Sequence, residues 1–206
     1  MILKSYIVEQ NLNILKDYIV TLMYGENSGI KDDIKEEIKI QNKDAEILNF
    51  FESDIVKNNL LFENTANQSL FDEKKIIFIH EASDKIIETL EECLKIKNKD
   101  ISIYIFAENL EKKSKLRNWF EKDKNLAIFA CYEDNERTLI TYVNKEFKNY
   151  KGLTGEIINL IINNSNMDRR IIKSEILKIK DYFLQKKINK DKIIEILNKK
   201  NDSNFN

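Results

Sequence analysis

Residues 18 to 40, YIVTLMYGENSGIKDDIKEEIKI, carry the pattern that decides the fold. The run at 18 to 24 is apolar and rich in β-branched and aromatic residues, which predicts a buried strand. The loop GENSG follows. Ile30, Ile34 and Ile38 then recur every four residues, the spacing of one helical face. The stretch therefore predicts a strand, a loop and a helix in that order.

The same order recurs along the first 150 residues. Four further apolar runs are each followed by a helical pattern: AEILNFF (45 to 51), KKIIFIHEA (74 to 82), DISIYIFA (100 to 107) and NLAIFACY (125 to 132). Strands that alternate with helices need crossover connections, so they predict a parallel sheet covered on both faces. We therefore expect an α/β domain over residues 1 to 150, including a last helix at 134 to 149.

The pattern changes after Tyr150. The segment KGLTG (151 to 155) holds two of the four glycines, and only helical periodicity follows it. We expect a small three-helix, lid-like domain over residues 151 to 200 and a polar tail at 201 to 206.

Composition limits the classes of function. The chain has 206 residues and a net charge of −1, with 34 basic against 35 acidic side chains, so no overall field favours DNA or an anionic membrane. Its longest apolar runs fall short of the roughly 18 residues that a membrane span needs, and the N-terminus has no signal-peptide pattern. These features predict a cytoplasmic protein without a membrane partner.

The thiols and the single histidine do not form a metal-site pattern. Cys93 and Cys131 lie 38 positions apart without a CxxC motif, so we expect buried free thiols. An ATPase would carry an acid pair after the third strand, where this chain has His80 and Glu81. A lone histidine lacks further ligands for a metal, so we interpret His80 as structural and expect no metal site.

The loop at 25 to 29 occupies the place of a phosphate-binding loop but departs from its motif. That motif requires GxxxxGK followed by Ser or Thr. Here Gly25 and Gly29 are one residue too close, and Ile30 separates Gly29 from Lys31. The acidic side chains nearby would also repel a triphosphate. We therefore expect a degenerate loop (Gly25, Gly29, Lys31), no ATP and no other cofactor. The sequence also has no GxSxG or HExxH motif, and we predict no catalytic residue.

The helix predicted at 111 to 121 lies in a basic segment, LEKKSKLRNWFEKDK, with six basic and three acidic residues. One interpretation is a DNA-binding module. We favour the other, in which Leu110, Leu116, Trp119 and Phe120 line a buried face while the lysines are solvated.

The stretch NQSLFDEKKIIFIH (67 to 80) places Leu70 and Phe71 shortly before a strand. From the residues alone two interpretations are open. The pair packs beneath the strand that follows, or it faces outward and anchors a partner protein.

The order of several motifs resembles the delta subunit of the bacterial DNA polymerase III clamp loader. The similar segments are MYGENSGIKDDI (23 to 34), NQSLFDEKKIIFI (67 to 79), ISIYIFAENLEKKSKLRNWF (101 to 120), NMDRRIIKSEILKI (166 to 179) and INKDKIIEIL (188 to 197). The second contains the Ser-Leu-Phe hallmark of that family. The resemblance implies an AAA+-like fold that has lost ATP chemistry, in a non-catalytic subunit of a DNA-directed DNA polymerase (nucleotidyltransferase) holoenzyme.

The resemblance also implies a partner and a site. In that family the Ser-Leu-Phe tip binds a hydrophobic pocket of the sliding clamp (the beta subunit) and helps to open it for loading onto DNA. Leu70 and Phe71 would be the anchors, Ser69 and Gln68 would make flanking contacts, and Asn67 stands where the family often has Gln. The family joins its sister subunits (delta prime, gamma/tau) through a collar domain that lies outside these 206 residues. We therefore expect clamp binding from this chain alone, without loader assembly, and at most a weak or indirect contact with DNA.

Overall fold

The computed structural model describes residues 1 to 58, 60 to 66, 74 to 96, 98 and 100 to 198. The chain divides into two compact units, Met1–Tyr132 and Glu133–Asn206. Among the described residues, no helix is long and apolar enough to cross a membrane.

The first unit is built on a five-stranded parallel sheet. The strands are β1 (Val20–Tyr24), β2 (Glu46–Phe51), β3 (Lys75–His80), β4 (Ile101–Ala107) and β5 (Ala127–Ala130). Their order in the sheet is β2-β3-β4-β1-β5, and every neighbouring pair is parallel. This arrangement confirms the α/β fold predicted from the alternation of strands and helices.

Helices cover both faces of this sheet. The unit contains α1 (Ser5–Gln10), α2 (Ser28–Gln41), α3 (Glu52–Asn58), α4 (Leu60–Ala66), α5 (Ile87–Lys95) and α6 (Lys115–Lys122), with 3-10 turns at Leu12–Asp17 and Asp84–Ile86. Alternate strand residues point to opposite faces, so Leu22 packs with α3 to α6 while Met23 packs with α1 and α2. We call these the first and second faces.

Both cysteines are free and buried, as the sequence predicted. Cys93 lies in the core of the first face and Cys131 in that of the second. Burial raises the pKa of the Cys93 thiol, which keeps it in its unreactive protonated form.

The basic helix is shorter than the pattern at 111 to 121 indicated. It begins at Lys115, where Ser114 caps it by accepting a hydrogen bond from the Arg117 amide at 3.2 Å. The Asp84 carboxylate reinforces this start, accepting from the Leu116 amide at 2.9 Å and the Ser114 hydroxyl at 2.7 Å. A contact 32 residues away in the chain thus fixes where α6 begins.

Replacing Asp84 with Asn should therefore make stability less dependent on pH. The Leu116 amide, with further hydrogen bonds from the Ser114 hydroxyl and the Lys115 amide, holds the pKa of Asp84 below its usual value. A depressed pKa stabilises the fold above the unfolded value of about 3.9, and this contribution is lost as the pH falls through the folded value. We expect Asp84→Asn to lower the free energy of unfolding at pH 7 by less than about 1 kcal/mol, because asparagine keeps one acceptor oxygen but loses the charge. This difference should shrink as the pH falls through the folded pKa of Asp84.

The fluorescence of Trp119 reports the unfolding of the first unit, because Trp119 is the single tryptophan and lies in α6. Urea unfolding followed by its fluorescence, with wild type and Asp84→Asn compared at several pH values, reports the difference directly. An equal difference at pH 7 and pH 2 would show that the charge of Asp84 does not stabilise α6.

Within its described residues, 133 to 198, the second unit is a bundle of four helices: α7 (Glu136–Glu146), α8 (Gly155–Asn164), α9 (Arg169–Tyr182) and α10 (Lys190–Asn198). The sequence placed the domain boundary after Tyr150. The structure places it between Tyr132 and Glu133, because Leu139 and Val143 of α7 pack in the same core as Ile161 and Ile176. The three helices predicted after residue 150 therefore form one unit with the helix that precedes them.

The Asp-Arg-Arg segment (168 to 170) makes polar contacts within this second unit. Asp168 caps α9 by accepting hydrogen bonds from the Arg170 and Ile171 amides. The Arg169 guanidinium is buried 3.5 Å from the Asp134 carboxylate and lies 4.1 Å from the centre of the Tyr142 ring. These contacts give Arg169 a structural role in joining α9 to the start of α7.

Candidate functional site

The loop after β1 is tied to the ends of both neighbouring strands. The Gly25 amide donates to the Glu108 carbonyl, beyond β4, at 3.2 Å. The Asn27 amide donates to the Cys131 carbonyl, beyond β5, at 3.0 Å. In an open parallel sheet, ligands bind in the crevice at the carboxyl ends of the strands. Here the Gly25 and Asn27 amides, which would face such a ligand, donate to backbone carbonyls of the protein instead.

Other amides of this loop are also used internally. The Ile30 amide donates to the Asn27 side chain, which caps α2, at 3.0 Å. The Ser28 amide donates to the Glu26 carbonyl at 2.9 Å. A phosphate-binding loop needs such amides directed at the anion. Three amides of the loop, those of Gly25, Asn27 and Ser28, thus donate to protein acceptors, as does the Ile30 amide that follows it.

Lys31 completes the arrangement. Its side chain is buried, and its ammonium donates to the Gly25 carbonyl at 2.8 Å and to the Ala107 carbonyl at 3.2 Å. The exposed Glu108 carboxylate lies 3.5 Å from the same ammonium. In a working phosphate loop this lysine reaches the β- and γ-phosphates. In this chain it bridges the ends of β1 and β4.

Two carboxylates belong to this loop and to the end of β4. The Glu26 side chain accepts a hydrogen bond from the Asn109 amide group at 2.9 Å, and Glu108 is beside Lys31. Two acidic groups next to one neutralised lysine oppose the binding of a triphosphate. The geometry therefore agrees with the degenerate loop expected from Gly25, Gly29 and Lys31.

Gly25 is required by this close packing. Its φ is +123°, and an added Cβ would stand 2.4 Å from the Cys131 carbonyl oxygen. We expect Gly25→Ala to lower the free energy of unfolding of the first unit by about 3 kcal/mol, through backbone strain and overlap. Gly155→Ala is the matched control, because its Cβ would meet nothing within 4 Å and the position begins a helix.

Thermal unfolding followed by circular dichroism separates the two glycine variants. Gly155→Ala should leave the melting temperature unchanged or raise it slightly, whereas Gly25→Ala should lower it by several degrees. A Gly25→Ala protein as stable as wild type would contradict the close contact with Cys131.

His80 ends β3, which β4 separates from β1 in the sheet, and is held by aromatic and cationic neighbours. Its ring stacks on Phe106, with centroids 5.2 Å apart and an angle of 8° between the rings. The Lys35 ammonium lies 2.8 Å from His80 Nε2, and a lysine can only donate, so Nε2 accepts. Burial and the Lys35 charge lower the pKa of His80, which favours the neutral ring. This packing agrees with a structural role for His80.

A lysine and a neutral histidine are poor partners for a magnesium ion. Magnesium prefers carboxylate and water oxygens. Among the described ranges, no cluster of three or more His, Cys, Asp or Glu side chains could hold a metal. The end of β3 therefore carries a positive charge at Lys35 where an ATPase would hold magnesium.

The basic helix α6 packs as interpreted. Leu116 and Phe120 are fully buried in the core of the first face, and Leu110 and Trp119 pack against that core. The Arg117 guanidinium is paired with Glu121 at 2.7 Å, so it is not available as a free cation. Exposed lysines of α6 and of the residues on either side of it (112, 113, 115, 122 and 124) leave a basic surface.

A cleft of about 420 Å³ lies beside the end of β5 and is lined in part by Tyr24, Tyr132 and Arg117. Burial, together with a hydrogen bond to Tyr132, raises the pKa of Tyr24 to about 12. The phenol is therefore protonated at neutral pH and is a poor general base.

The predicted clamp-binding residues Asn67, Gln68, Ser69, Leu70 and Phe71 lie outside the described residues. The structure does place the elements that flank them. Helix α4 ends at Ala66, and Lys74 leads directly into β3.

The buried role of Lys31 and the contact from Asp84 to α6 were not predicted from the sequence. A signal for the first was present, because Lys31 precedes Ile34 and Ile38 by three and seven residues and so shares their buried face. Asp84 gives no such signal, since its partners lie about 30 residues further along the chain.

No protein-family model and no curated protein matches this chain. Among solved structures, it is similar to the Bacillus subtilis DNA clamp loader delta protein (YqeN), with a TM-score of 0.65 and 14% identity over 89% of this chain. The alignment covers 59% of the delta protein. The chain therefore spans less than two thirds of that protein.

A second similarity is to the RuvB Holliday junction branch migration motor of Thermotoga maritima, with a TM-score of 0.53 and 15% identity. That alignment covers 93% of this chain and 66% of the motor. At these identities the likeness concerns the fold. Together with the parallel sheet and its flanking helices, these neighbours show that the chain has an AAA+-like α/β fold with a helical C-terminal part.

Proposed function

We propose that this chain is a clamp-loader subunit of the delta type, which binds the sliding clamp through Leu70 and Phe71 and helps to open it for loading onto DNA. The observation that carries the proposal is the filled phosphate loop. Lys31 is held by the Gly25 and Ala107 carbonyls, so the lysine that would contact nucleotide phosphates is engaged within the protein. This arrangement favours a binding role over catalysis, and the fold likeness to a clamp loader delta protein supports the choice of partner.

Leu70 and Phe71 suit the role of an anchor. Burying both side chains in a partner would contribute on the order of 3 to 6 kcal/mol before the costs of association. Helix α4 precedes the stretch that holds them, and β3, the second strand in the sheet order, follows it.

Clamp opening by this chain would require no hydrolysis. A ligand shifts a conformational equilibrium only through its different affinities for the two states. The chain would therefore bind the opened clamp edge more tightly than the closed one. ATP would act through sister subunits of the loader, which the family joins through its collar domain.

The direct test is binding of the purified chain to the sliding clamp of the same organism. Surface plasmon resonance with immobilised clamp should give saturable binding without nucleotide. If wild-type chain fails to bind at concentrations up to about 100 μM, the proposed partner is wrong.

The alternative of an AAA+-type nucleotide-binding protein is less favoured by this geometry. Calorimetry with MgATP distinguishes the two, because tight binding would require the Lys31 ammonium to leave its two carbonyl partners. The other alternative, a DNA-binding module, would use the exposed lysines of α6. Its affinity for DNA should then fall steeply with salt.

A further inference from the structure

The two edges of the sheet in the first unit differ in how their backbone groups are paired. Strands β2 and β5 lie at the two ends of the sheet order. The N-terminal residues cover the outer edge of β5, where Ile2 forms a parallel bridge with Ile128. The Leu3 amide donates to the Ile128 carbonyl at 2.8 Å, and the Ile128 amide donates to the Met1 carbonyl at 3.0 Å. The chain therefore closes this edge with its own backbone.

The outer edge of β2 has no such cover among the described residues. The Glu46 amide donates to the Lys74 carbonyl at 2.9 Å, so Glu46 and every second residue after it face β3. Because alternate residues of a strand direct their amides and carbonyls to opposite sides, those of Ile47 and Asn49 face away from the sheet. Within the described ranges, no hydrogen bond reaches these outward groups. Strand β2 thus presents unpaired donors and acceptors along its outer side.

The residues of β2 lack the features that usually protect an exposed edge strand. Natural edge strands carry lysine, proline or an inward-pointing charge. The five residues from Ile47 to Phe51 are uncharged, and the chain contains no proline. The one charged residue of β2, Glu46, lies at its start, 3.5 Å from the Lys75 ammonium. An edge of this kind is a template for pairing with a further strand.

The side chains of β2 leave apolar surface to be buried on both faces of the sheet. Asn49, in the middle of the strand, is exposed, and Phe51 is 49% exposed. Ile47 packs on the core of the second face and is half-buried. Leu48 and Phe50 pack on the core of the first face and are also half-buried. A strand added beside β2 would therefore cover apolar groups as well as pair the backbone.

One register between two copies of β2 places each apolar residue opposite another. In an antiparallel pair, two directly opposite residues lie on the same face of the sheet. When Asn49 lies opposite Asn49 of a second copy, Ile47 lies opposite Phe51 and Leu48 lies opposite Phe50. The two-fold axis then stands perpendicular to the sheet and joins the first face of one copy to the first face of the other.

The hydrogen bonds and the charges favour the same register. Opposite residues in an antiparallel pair alternate between hydrogen-bonded and non-hydrogen-bonded pairs. The outward-facing Asn49 of each copy becomes a hydrogen-bonded pair. Of the neighbouring registers that keep the faces matched, one places Glu46 opposite Phe50. The other places Leu48 opposite Glu52. Each of these would set a carboxylate against an apolar side chain, which is unfavourable.

We propose that the first unit forms an antiparallel dimer through β2, with Asn49 at the two-fold axis, so that the sheets of two copies become one continuous sheet. An extended segment of another protein would use the same backbone groups. A second copy is the partner whose side chains are also matched, because the pattern of β2 is complementary to itself. The contact is independent of the clamp and goes beyond the proposed function.

The dimer should be weak because its contact area is small. A standard interface buries about 800 Å² on each partner. A strand of six residues whose apolar side chains are already half-buried supplies less than this. We therefore expect a dissociation constant on the order of 100 μM.

The test is sedimentation velocity of the chain from roughly 5 to 500 μM, a range that brackets the expected constant. The weight-average sedimentation coefficient of wild type should rise across this range. Asn49→Pro should stay monomeric, because proline has no amide to donate and its ring occupies the outer side of the strand. The Asn49 amide faces away from β3, so this change leaves the pairing of β2 with β3 intact. Asn49→Ala is the matched control, because it keeps the amide and should associate like wild type.

A cross-link tests the register separately. Hydrogen-bonded residues that lie opposite each other are about 5.5 Å apart between Cα atoms, so a short bismaleimide should join two copies of an Asn49→Cys variant. Leu184→Cys is the control, because Leu184 is exposed in the second unit and lies off the proposed axis. The native Cys93 and Cys131 are buried and are the same in both variants. Fluorescence of Trp119 in urea verifies that every variant is folded.

Four results would overturn the inference. A wild-type chain that stays monomeric throughout would leave this edge to an extended segment of another protein. Association of Asn49→Pro as strong as that of wild type would place the contact elsewhere on the chain. Equal loss of association in Asn49→Ala would assign the contact to the side chain instead of the backbone. Equal cross-linking of Asn49→Cys and Leu184→Cys would show that the collisions are random.

Discussion

Changing Leu70 and Phe71 together to alanine is expected to weaken binding to the sliding clamp by at least about a hundredfold. The two side chains supply the apolar area that would enter the clamp pocket, and 3 kcal/mol of lost burial corresponds to about two powers of ten in affinity. Isothermal titration calorimetry with purified clamp gives both dissociation constants. Binding by the variant within about threefold of wild type would contradict the proposed anchor.

The control for this experiment is a change of the same kind away from the proposed site. Leu184 is 80% exposed in the second unit, so Leu184→Ala removes an exposed apolar side chain with little effect on packing. We expect Leu184→Ala to bind the clamp like wild type. If Leu70 and Phe71 instead pack beneath β3, their replacement should lower the stability of the first unit, which Trp119 fluorescence would detect.

Replacing Lys31 with methionine is expected to destabilise the first unit by about 2 to 4 kcal/mol. The variant leaves the Gly25 and Ala107 carbonyls without the ammonium that binds them, at a site where Lys31 is 7% exposed. A hydrogen bond to a charged group contributes about 1.5 to 3 kcal/mol, and a buried unsatisfied acceptor adds a penalty. Urea unfolding followed by Trp119 fluorescence measures the loss.

Lys39→Met is the matched control, because Lys39 lies on the same helix and is exposed. We expect it to change stability by less than about 0.5 kcal/mol. In a working ATPase the phosphate-loop lysine serves the nucleotide, so its replacement would abolish binding while costing the fold little. Equal stability of Lys31→Met and wild type, together with MgATP binding by wild type, would contradict the structural role given to Lys31.

Local sequence patterns predicted much of the first unit. The strands β1, β3 and β4 consist mostly of buried apolar residues, as expected where both faces of a parallel sheet are buried. The stripe of Ile30, Ile34 and Ile38 predicted α2. These elements were predictable because their signals lie within a few residues of one another.

Features that depend on distant contacts were not predictable. Leu139 and Val143 share a helical face, and this periodicity predicts a buried side for α7 without identifying the core that buries it. The domain boundary in the structure therefore lies before α7, whereas the sequence pattern placed it after that helix. The start of α6 depended in the same way on Asp84, about 30 residues away.

The candidate site also has features that local sequence patterns predicted and features that depend on distant contacts. The spacing of Gly25, Gly29 and Lys31 predicted that the phosphate motif is broken, but not that the Lys31 ammonium would bind two strand ends. The role of Leu70 and Phe71 stays a prediction from the sequence and its resemblance to the clamp loader delta family.

We expect this chain, in which Lys31 fills the phosphate loop, to bind a sliding clamp without using nucleotide. The most direct test is the affinity of the wild-type chain for the clamp, measured by calorimetry with and without MgATP. A concentration of about 2 mM MgATP suffices, because it exceeds the usual range of KM values of enzymes for their substrates. We expect saturable binding with the same dissociation constant in both conditions. Binding that appears only with MgATP, or no binding in either condition, would contradict it.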